Sequence, residues 1–315
     1  MKIFVAIPSY RDPELSDTVD SVIRKADRPK NLSFGICQQD DPDNFITLRQ
    51  HRWSVRKINF KNYPAEQSLG LGWALNQCFS MYSGEEFFLQ IDSHTEMDES
   101  WDTKIINDYR QAQQSAHQPC IFSVYPDIYS LDQNLQRILD HNGYLSRTRL
   151  IWGPGNLIPD GNALRLESQR PAKSRYLNGG FMFGDGSFAV NVPYNPDVYF
   201  FGIEIYTTVR CYTHGFDLFH PTQRMCWHHY GDRRNHSDVP PHHGNIVDES
   251  KRSVKFSQRA IDAEKIIIDL LLDRYSGSFG TGNERTVKDF EKYAGIDFAN
   301  CRYITEEAET GLYKD

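Results

Sequence analysis

Apolar runs of strand length alternate with segments of helical spacing along the first 125 residues. Residues 2–7 predict a buried strand, followed by the polar, proline-bounded loop Pro8-Ser9-Tyr10-Arg11-Asp12-Pro13. Apolar positions 15, 19, 22 and 23 recur at helical spacing and predict a helix. Residues 32–38 and 54–60 predict two further strands, 69–82 a helix, 87–91 a fourth strand, and 98–115 another helix. This order predicts an α/β fold whose mostly parallel central sheet is flanked by helices, with residues 1–125 as a Rossmann-like nucleotide-binding half. In such sheets ligands collect beyond the carboxyl ends of the strands.

Beyond residue 125 the pattern is less regular, with turns marked by Gly153, Pro154, Gly155, Gly161, Gly179, Gly180, Gly184 and Gly186. Residues 188–192 predict a strand, and 200–215 a helix closed by Gly215. A strand follows over 223–228, then a loop rich in Pro and His over 236–244. The longest helical pattern covers 254–275, and a short helix covers 286–294. No linker interrupts the chain, so a single domain over 1–315 is expected, with 251–315 as a C-terminal helical segment.

Composition narrows the function classes. A net charge of −7, from 35 basic and 42 acidic residues, argues against nucleic acid as a partner. Six scattered cysteines without a CxxC pair predict free thiols rather than a disulfide framework or a zinc site. The N-terminus enters a strand directly, with no signal-peptide pattern, and no apolar run has the length of a membrane span. The expectation is a cytoplasmic protein.

Three features carry candidate chemistry. The apolar run Phe87-Phe88-Leu89-Gln90-Ile91 ends abruptly in Asp92-Ser93-His94, and residues two apart in an extended chain share one face. His228-His229 closes another predicted strand, and Glu204 opens a helix behind Gly202. One Asp and two His at separate strand ends make a facial site for a divalent cation, with positions left for substrate oxygens. Each has a plainer competing role: a turn cap for Asp92, one core and one surface histidine for His228-His229, a helix-dipole partner for Glu204. His242-His243 reads as part of a surface loop. No H-E-x-x-H, Walker or G-x-G-x-x-G motif is present.

In order, Pro8-Ser9-Tyr10-Arg11-Asp12-Pro13-Glu14, Gly35-Ile36-Cys37-Gln38-Gln39, Gln90-Ile91-Asp92-Ser93-His94, Asn178-Gly179-Gly180-Phe181, Phe201-Gly202-Ile203-Glu204 and His228-His229-Tyr230-Gly231-Asp232-Arg233 resemble the motifs of one family. That family is the glycosyltransferases typified by the Skp1 N-acetylglucosaminyltransferase, and the similarity spans nearly the whole chain. It is similar in turn to the polypeptide GalNAc-transferases, which have a GT-A fold and an Asp-x-His motif.

The resemblance implies a metal-dependent retaining transfer of a sugar, most often GlcNAc, from a UDP-sugar to a hydroxyl acceptor. The acceptor would be a protein Ser, Thr or hydroxyproline, or a glycan. Asp92 and His94 would hold Mn²⁺ or Mg²⁺, with His228 as third ligand and His229 as the competing choice; 126–250 would be the acceptor and metal half. Ser9, Tyr10, Arg11, Gln39 and Asp40 would cradle uridine. Gly179 and Gly180 would let backbone approach the sugar, and Glu204 would act catalytically near sugar and acceptor. The chain departs from the family at Asn76, where members often carry an arginine, and Arg233 or Arg234, beside the histidines, is the expected substitute that neutralises phosphate. Two other classes fit the same residues, a metal-dependent nucleotide-sugar hydrolase and a non-catalytic glycan- or nucleotide-binding module.

Overall fold

The four apolar runs that open the sequence are neighbours in one sheet. They form β1 (Ile3–Tyr10), β2 (Leu32–Asp40), β3 (Lys57–Pro64) and β4 (Phe87–Ile91), all mutually parallel, with β1 between β2 and β4. The computed structural model describes residues 1–46, 55–116, 118–142, 144–153, 155–231 and 245–311. Arg233, Arg234, His242, His243 and the rest of the loop expected over 236–244 lie outside the described residues.

Helix α1 (Leu15–Arg24) joins β1 to β2, α2 (Leu71–Phe79) precedes β4, and a short β5 (Thr95–Met97) leads to α3 (Trp101–Gln113). Then come β6 (Cys120–Ser123), β7 (Asp127–Leu131), β8 (Arg137–Leu139) and the antiparallel pair β9 (Leu145–Ile151) and β10 (Asp160–Leu166). The remaining strands of the body are β11 (Ala172–Lys173), β12 (Phe181–Asp185), β13 (Asp217–His220) and β14 (Cys226–His228). Among them lie α4 (Phe188–Asn191) and α5 (Ile203–Thr213). After β14 come α6 (Ile246–Lys251), α7 (Phe256–Leu271), α8 (Val287–Ala294), the pair β15 (Ile296–Asp297) and β16 (Arg302–Tyr303), and α9 (Glu306–Thr310).

The main sheet has the order β11-β13-β6-β12-β4-β1-β2-β3. β12 runs antiparallel to both neighbours, and β11 to β13; the other pairs are parallel. Strand alternation divides the core into two layers. Ile3, Val5, Ile7, Leu89 and Ile91 face α1 and α3, whereas Phe4, Ala6 and Phe88 face α2, α5, α7 and α8. A second sheet of order β5-β14-β7-β8 stands beyond the carboxyl end of β4.

Two sequence expectations change. Pro8, Ser9 and Tyr10 belong to β1 rather than to a loop, because pairing with β2 continues to Tyr10↔Gln39. The turn begins at Arg11, whose φ of 49° lies in the left-handed region. Residues 188–192 form a helical turn, not a strand. Phe188 and Val192, four apart, are buried while Val190 between them is 69% exposed, and the Val192 N–H donates to the Phe188 carbonyl. The strand of that region is β12, just upstream.

Candidate active site

Asp92 and His94 sit just past the last residue of β4, in the turn to β5. The second sheet brings the third member to them: in the antiparallel register of β14 on β5, His228 lies opposite Thr95. Asp92, His94 and His228 each offer a ligand atom within 4.8 Å of the other two. His228 Nε2 is 2.9 Å from Asp92 Oδ2, and the two imidazole rings meet edge to face at 4.5 Å. Side chains brought together by the end of β4 and the end of β14 thus converge from positions 136 residues apart.

The adjacent histidine goes elsewhere. His229 leaves the strand on the other face, where its Nδ1 is 2.6 Å from Glu14 Oε1 and its ring stacks on Tyr129. Glu14 also accepts from the Tyr129 hydroxyl at 2.6 Å and from Arg137 Nη2 at 3.2 Å. His94 is held from behind as well: its Nδ1 is 2.6 Å from Asp12 Oδ2. Sequence reading missed both Asp12 and Glu14 as site residues, although the acidic pair stood inside the first motif.

Charge follows from these contacts. Burial works against ionised Asp92 and Asp12, but hydrogen bonds from His228 to the former and from His94 and Ser93 to the latter outweigh it. Both carboxyls stay below the usual range. Burial is the largest influence on His228 and holds its pKa below the ordinary histidine value despite Asp92. For His94 burial pulls the same way, yet the bond to Asp12 and the surrounding carboxylates raise the pKa.

The donor set fits a divalent cation. One carboxylate oxygen and two imidazole nitrogens suit Mn²⁺ and its neighbours. Adjacent ligands of an octahedral ion at about 2.1 Å stand about 3 Å apart, close to the 2.9 Å between His228 Nε2 and Asp92 Oδ2. Among the described residues His228 Nδ1 is buried without a hydrogen-bond partner, and the polar contact of the ring is made at Nε2.

Gly179 and Gly180 form the floor beside this cluster. A Cβ built on Gly180 would stand 3.5 Å from Asp92 Oδ2, and one on Gly179 would stand 3.5 Å from Glu204 Oε1. The Gly179 carbonyl accepts from Gln90 Nε2 at 3.0 Å, and Tyr194 donates to Gln90 Oε1 at 2.6 Å. The one polar residue in the apolar run of β4 therefore holds the glycine floor, and its polarity was the signal for it. Glu204 lies in the first turn of α5, behind Gly202 at φ 78°. It lines a cavity of about 10 Å³ with Gln90, Gly179, Tyr194 and Thr207, space for one water molecule. Burial pushes its carboxyl up to about 7, and Asp160 and Asp92 push the same way.

The residues expected at the nucleotide lie together at the ends of β1 and β2. Gln39 is buried, donating to the Ser9 carbonyl at 2.9 Å and accepting from the Ser68 hydroxyl. Arg11 donates to Asp41 at 2.9 and 3.0 Å and to Asp40 at 3.5 Å. It also donates to Asp248 of α6, which takes the Tyr10 hydroxyl too. Asp248 is a third residue that sequence reading missed. Asn76 Nδ2 donates to the Tyr194 carbonyl at 2.8 Å, tying α2 to the segment after α4.

A family model described as Glycosyltransferase (GlcNAc) matches residues 2–52 and 46–300. No curated protein matches the chain by sequence. Among solved structures, the chain is similar to GalNAc-T7 with UDP, GalNAc and Mn²⁺, at 15% identity and a TM-score of 0.55. That likeness covers 98% of this chain and 56% of the other, so the chain spans little more than half of GalNAc-T7, and it shows a shared fold. Weaker likenesses are to S. aureus TarS 1-349 in complex with UDP-GlcNAc (13% identity, TM-score 0.44, covering 99% and 84%). Another is to the mannosyltransferase PcManGT from Pyrobaculum calidifontis in complex with GDP-Man and Mn²⁺ (11% identity, TM-score 0.46, covering 98% and 82%).

Proposed function

From a chain that belongs to the GlcNAc glycosyltransferase family and has the GT-A α/β fold, we propose an enzyme that moves a sugar from a UDP-sugar to a hydroxyl acceptor in a metal-dependent reaction. The observation that carries this reading is the convergence of Asp92, His94 and His228 at the carboxyl edge of the parallel strands. GlcNAc is the sugar favoured by the family, and Skp1-type transfer to a protein hydroxyl, or to a glycan, is the acceptor reading that follows from the motifs.

A divalent cation such as Mn²⁺, held by Asp92, His94 and His228, would supply the positive charge that neutralises the departing diphosphate. The rest of the chemistry falls to the chain. Ser9, Tyr10, Gln39 and Asp40, at the ends of β1 and β2, form the uridine side of the cleft. Arg11 acts there by holding Asp40 and Asp41 in place, since its guanidinium is already engaged by carboxylates. Arg233 or Arg234 is the residue proposed to meet phosphate.

Gly179 and Gly180 give the sugar room that any side chain would occupy. Glu204, protonated at near-neutral pH, offers an O–H to the sugar or acceptor, and ionised it accepts the acceptor hydroxyl's hydrogen bond. No carboxylate among the described residues stands out as a nucleophile, and this supports front-face retention, in which a departing phosphate oxygen takes the acceptor proton.

Six unpaired cysteines, five of them buried, suit a reducing compartment, and among the described residues no helix is long and apolar enough to cross a membrane. The test is incubation with a panel of UDP-sugars and Mn²⁺, with and without EDTA. Acceptor mass gained only with metal is the expected result. UDP release that no acceptor raises would instead identify a hydrolase, and neither activity with intact UDP binding a binding module.

A further inference from the structure

The following rests on the reading of Asp92, His94 and His228 as cation ligands. We propose that Asp12 is a positioning residue for that centre, whose carboxylate accepts a hydrogen bond from the Nδ1–H of His94 and so fixes the tautomer that leaves Nε2, with its lone pair, to the cation. Asp12 lies in the loop between β1 and α1. Its Oδ2 is 2.6 Å from His94 Nδ1 and 2.5 Å from Ser93 Oγ, and its Oδ1 accepts the Glu14 N–H at 2.9 Å. The side chain is only 11% exposed, so these partners are its environment.

The logic is one of tautomers. A neutral imidazole carries its proton on one nitrogen and can ligate only through the other. A carboxylate has nothing to donate, so the nitrogen facing Asp12 must be the proton-bearing one. Metal-binding histidines are commonly oriented by such a partner, and its loss typically costs 10- to 100-fold in metal affinity. An amide in the same place behaves differently: Asn can turn its Nδ2–H toward Nδ1 and draw the proton to Nε2, which blocks ligation.

The loop is fixed for this task. Thr18 of α1 donates to the Ser93 carbonyl at 2.7 Å and accepts the Thr95 N–H at 2.9 Å, so the turn carrying His94 is tied to the helix that follows Asp12. Glu14, two residues beyond, secures His229 beside His228. One short segment therefore sets both sides of the cluster.

Calorimetric titration with Mn²⁺ of wild type, Asp12→Asn, Ser93→Ala and Asp92→Asn, each with a thermal melt, tests the proposal. Asp12→Asn is expected to bind Mn²⁺ 10- to 100-fold more weakly. Ser93→Ala, which removes the other donor to the same oxygen, stays within about threefold of wild type, because His94 keeps its acceptor. Wild-type affinity in Asp12→Asn, alongside lost binding in Asp92→Asn, overturns the role of Asp12 and leaves the metal reading standing. Absent Mn²⁺ binding in wild type, or undiminished binding in Asp92→Asn, overturns the metal reading and the proposal with it. If Asp12→Asn does not fold, ¹⁵N NMR of the wild-type histidines with diamagnetic Zn²⁺ decides. A proton on His94 Nδ1 and a coordination shift at Nε2 support the proposal, and the reverse assignment overturns it.

Discussion

Arg11 and Asp248 meet across 237 residues of sequence, with Nε and Nη2 of the guanidinium donating to the two carboxylate oxygens at 2.5 and 2.8 Å. The Tyr10 hydroxyl donates to the same carboxylate, whose side chain is fully buried. This bidentate pair fastens α6 to the end of β1. Asp248→Ala removes the acceptor of two Arg11 donors and of the Tyr10 hydroxyl while Arg11 keeps Asp41, so it should lower stability by roughly 1–3 kcal/mol. Asp248→Asn, which keeps an acceptor, should lose less. Urea denaturation midpoints measure both, and an Asp248→Ala midpoint equal to wild type would contradict the prediction.

The two neighbouring histidines should separate cleanly. His228 Nε2 faces Asp92, whereas His229 Nδ1 is engaged by Glu14. His228→Ala is expected to weaken Mn²⁺ binding by about 100-fold or more, beyond the cost of losing an outer-shell partner, and His229→Ala, whose ring is turned to Glu14 and Tyr129, by less than about tenfold. Comparable losses in calorimetry would mean that the ligand assignment is wrong.

Glu204 makes stability depend on pH in an unusual direction. Its pKa of about 7 exceeds the ordinary 4.5, so between those values the native chain binds more protons than the unfolded one. Stability therefore falls as pH rises through this window. Glu204→Gln remains neutral and escapes that loss, so it should exceed wild type by roughly 1–3 kcal/mol at pH 8 and match it near pH 4. Sugar transfer by the variant should drop while Mn²⁺ affinity holds. A variant that is no more stable at pH 8 refutes the electrostatic part, and undiminished transfer refutes the catalytic part.

His220 acts on the acid side. Burial pushes its pKa from 6.5 down to about 4, and its Nδ1 lies 2.9 Å from the Ser123 carbonyl. Below pH 6.5 the unfolded chain takes up a proton that the folded one refuses until about pH 4. Its contribution is complete above the upper value and declines by up to about 3 kcal/mol across the window. His220→Asn should flatten the slope of unfolding free energy between pH 6.5 and 4, and an unchanged slope would locate the acid sensitivity elsewhere.

Much of this architecture could be read from the sequence, for reasons that differ by residue. β1 and β4 are buried on both faces, so their runs are nearly all apolar and announce themselves. Asp92, His94 and Glu204 were legible because each interrupts such a pattern at an element's end. Residues 188–192 misled because Phe, Val and Val at alternate positions mimic a strand, while tertiary packing buries only the first and last. β13 spans four residues, too short for any periodicity to speak. Asp12, Glu14 and Asp248 were invisible as site residues because their partners lie 82, 215 and 237 positions away. Nothing local distinguishes such carboxylates from solvated ones.

The reversed strand β12 has a further consequence. Its register on β4 sets Phe181 opposite Ile91, so that the next step outward brings Gly180 against Asp92. A slip of one residue would bring a neighbour of Gly180 against Asp92 and turn every side chain of β12 to the opposite layer of the core. The packing of Phe181 and Phe183 thus works as a gauge, setting how Gly180 stands against Asp92 through apolar contacts in the core. Substitutions inside β12 therefore act on Gly180 and Asp92 from a distance, whereas changes in the loop before it leave the register of β12 on β4 intact.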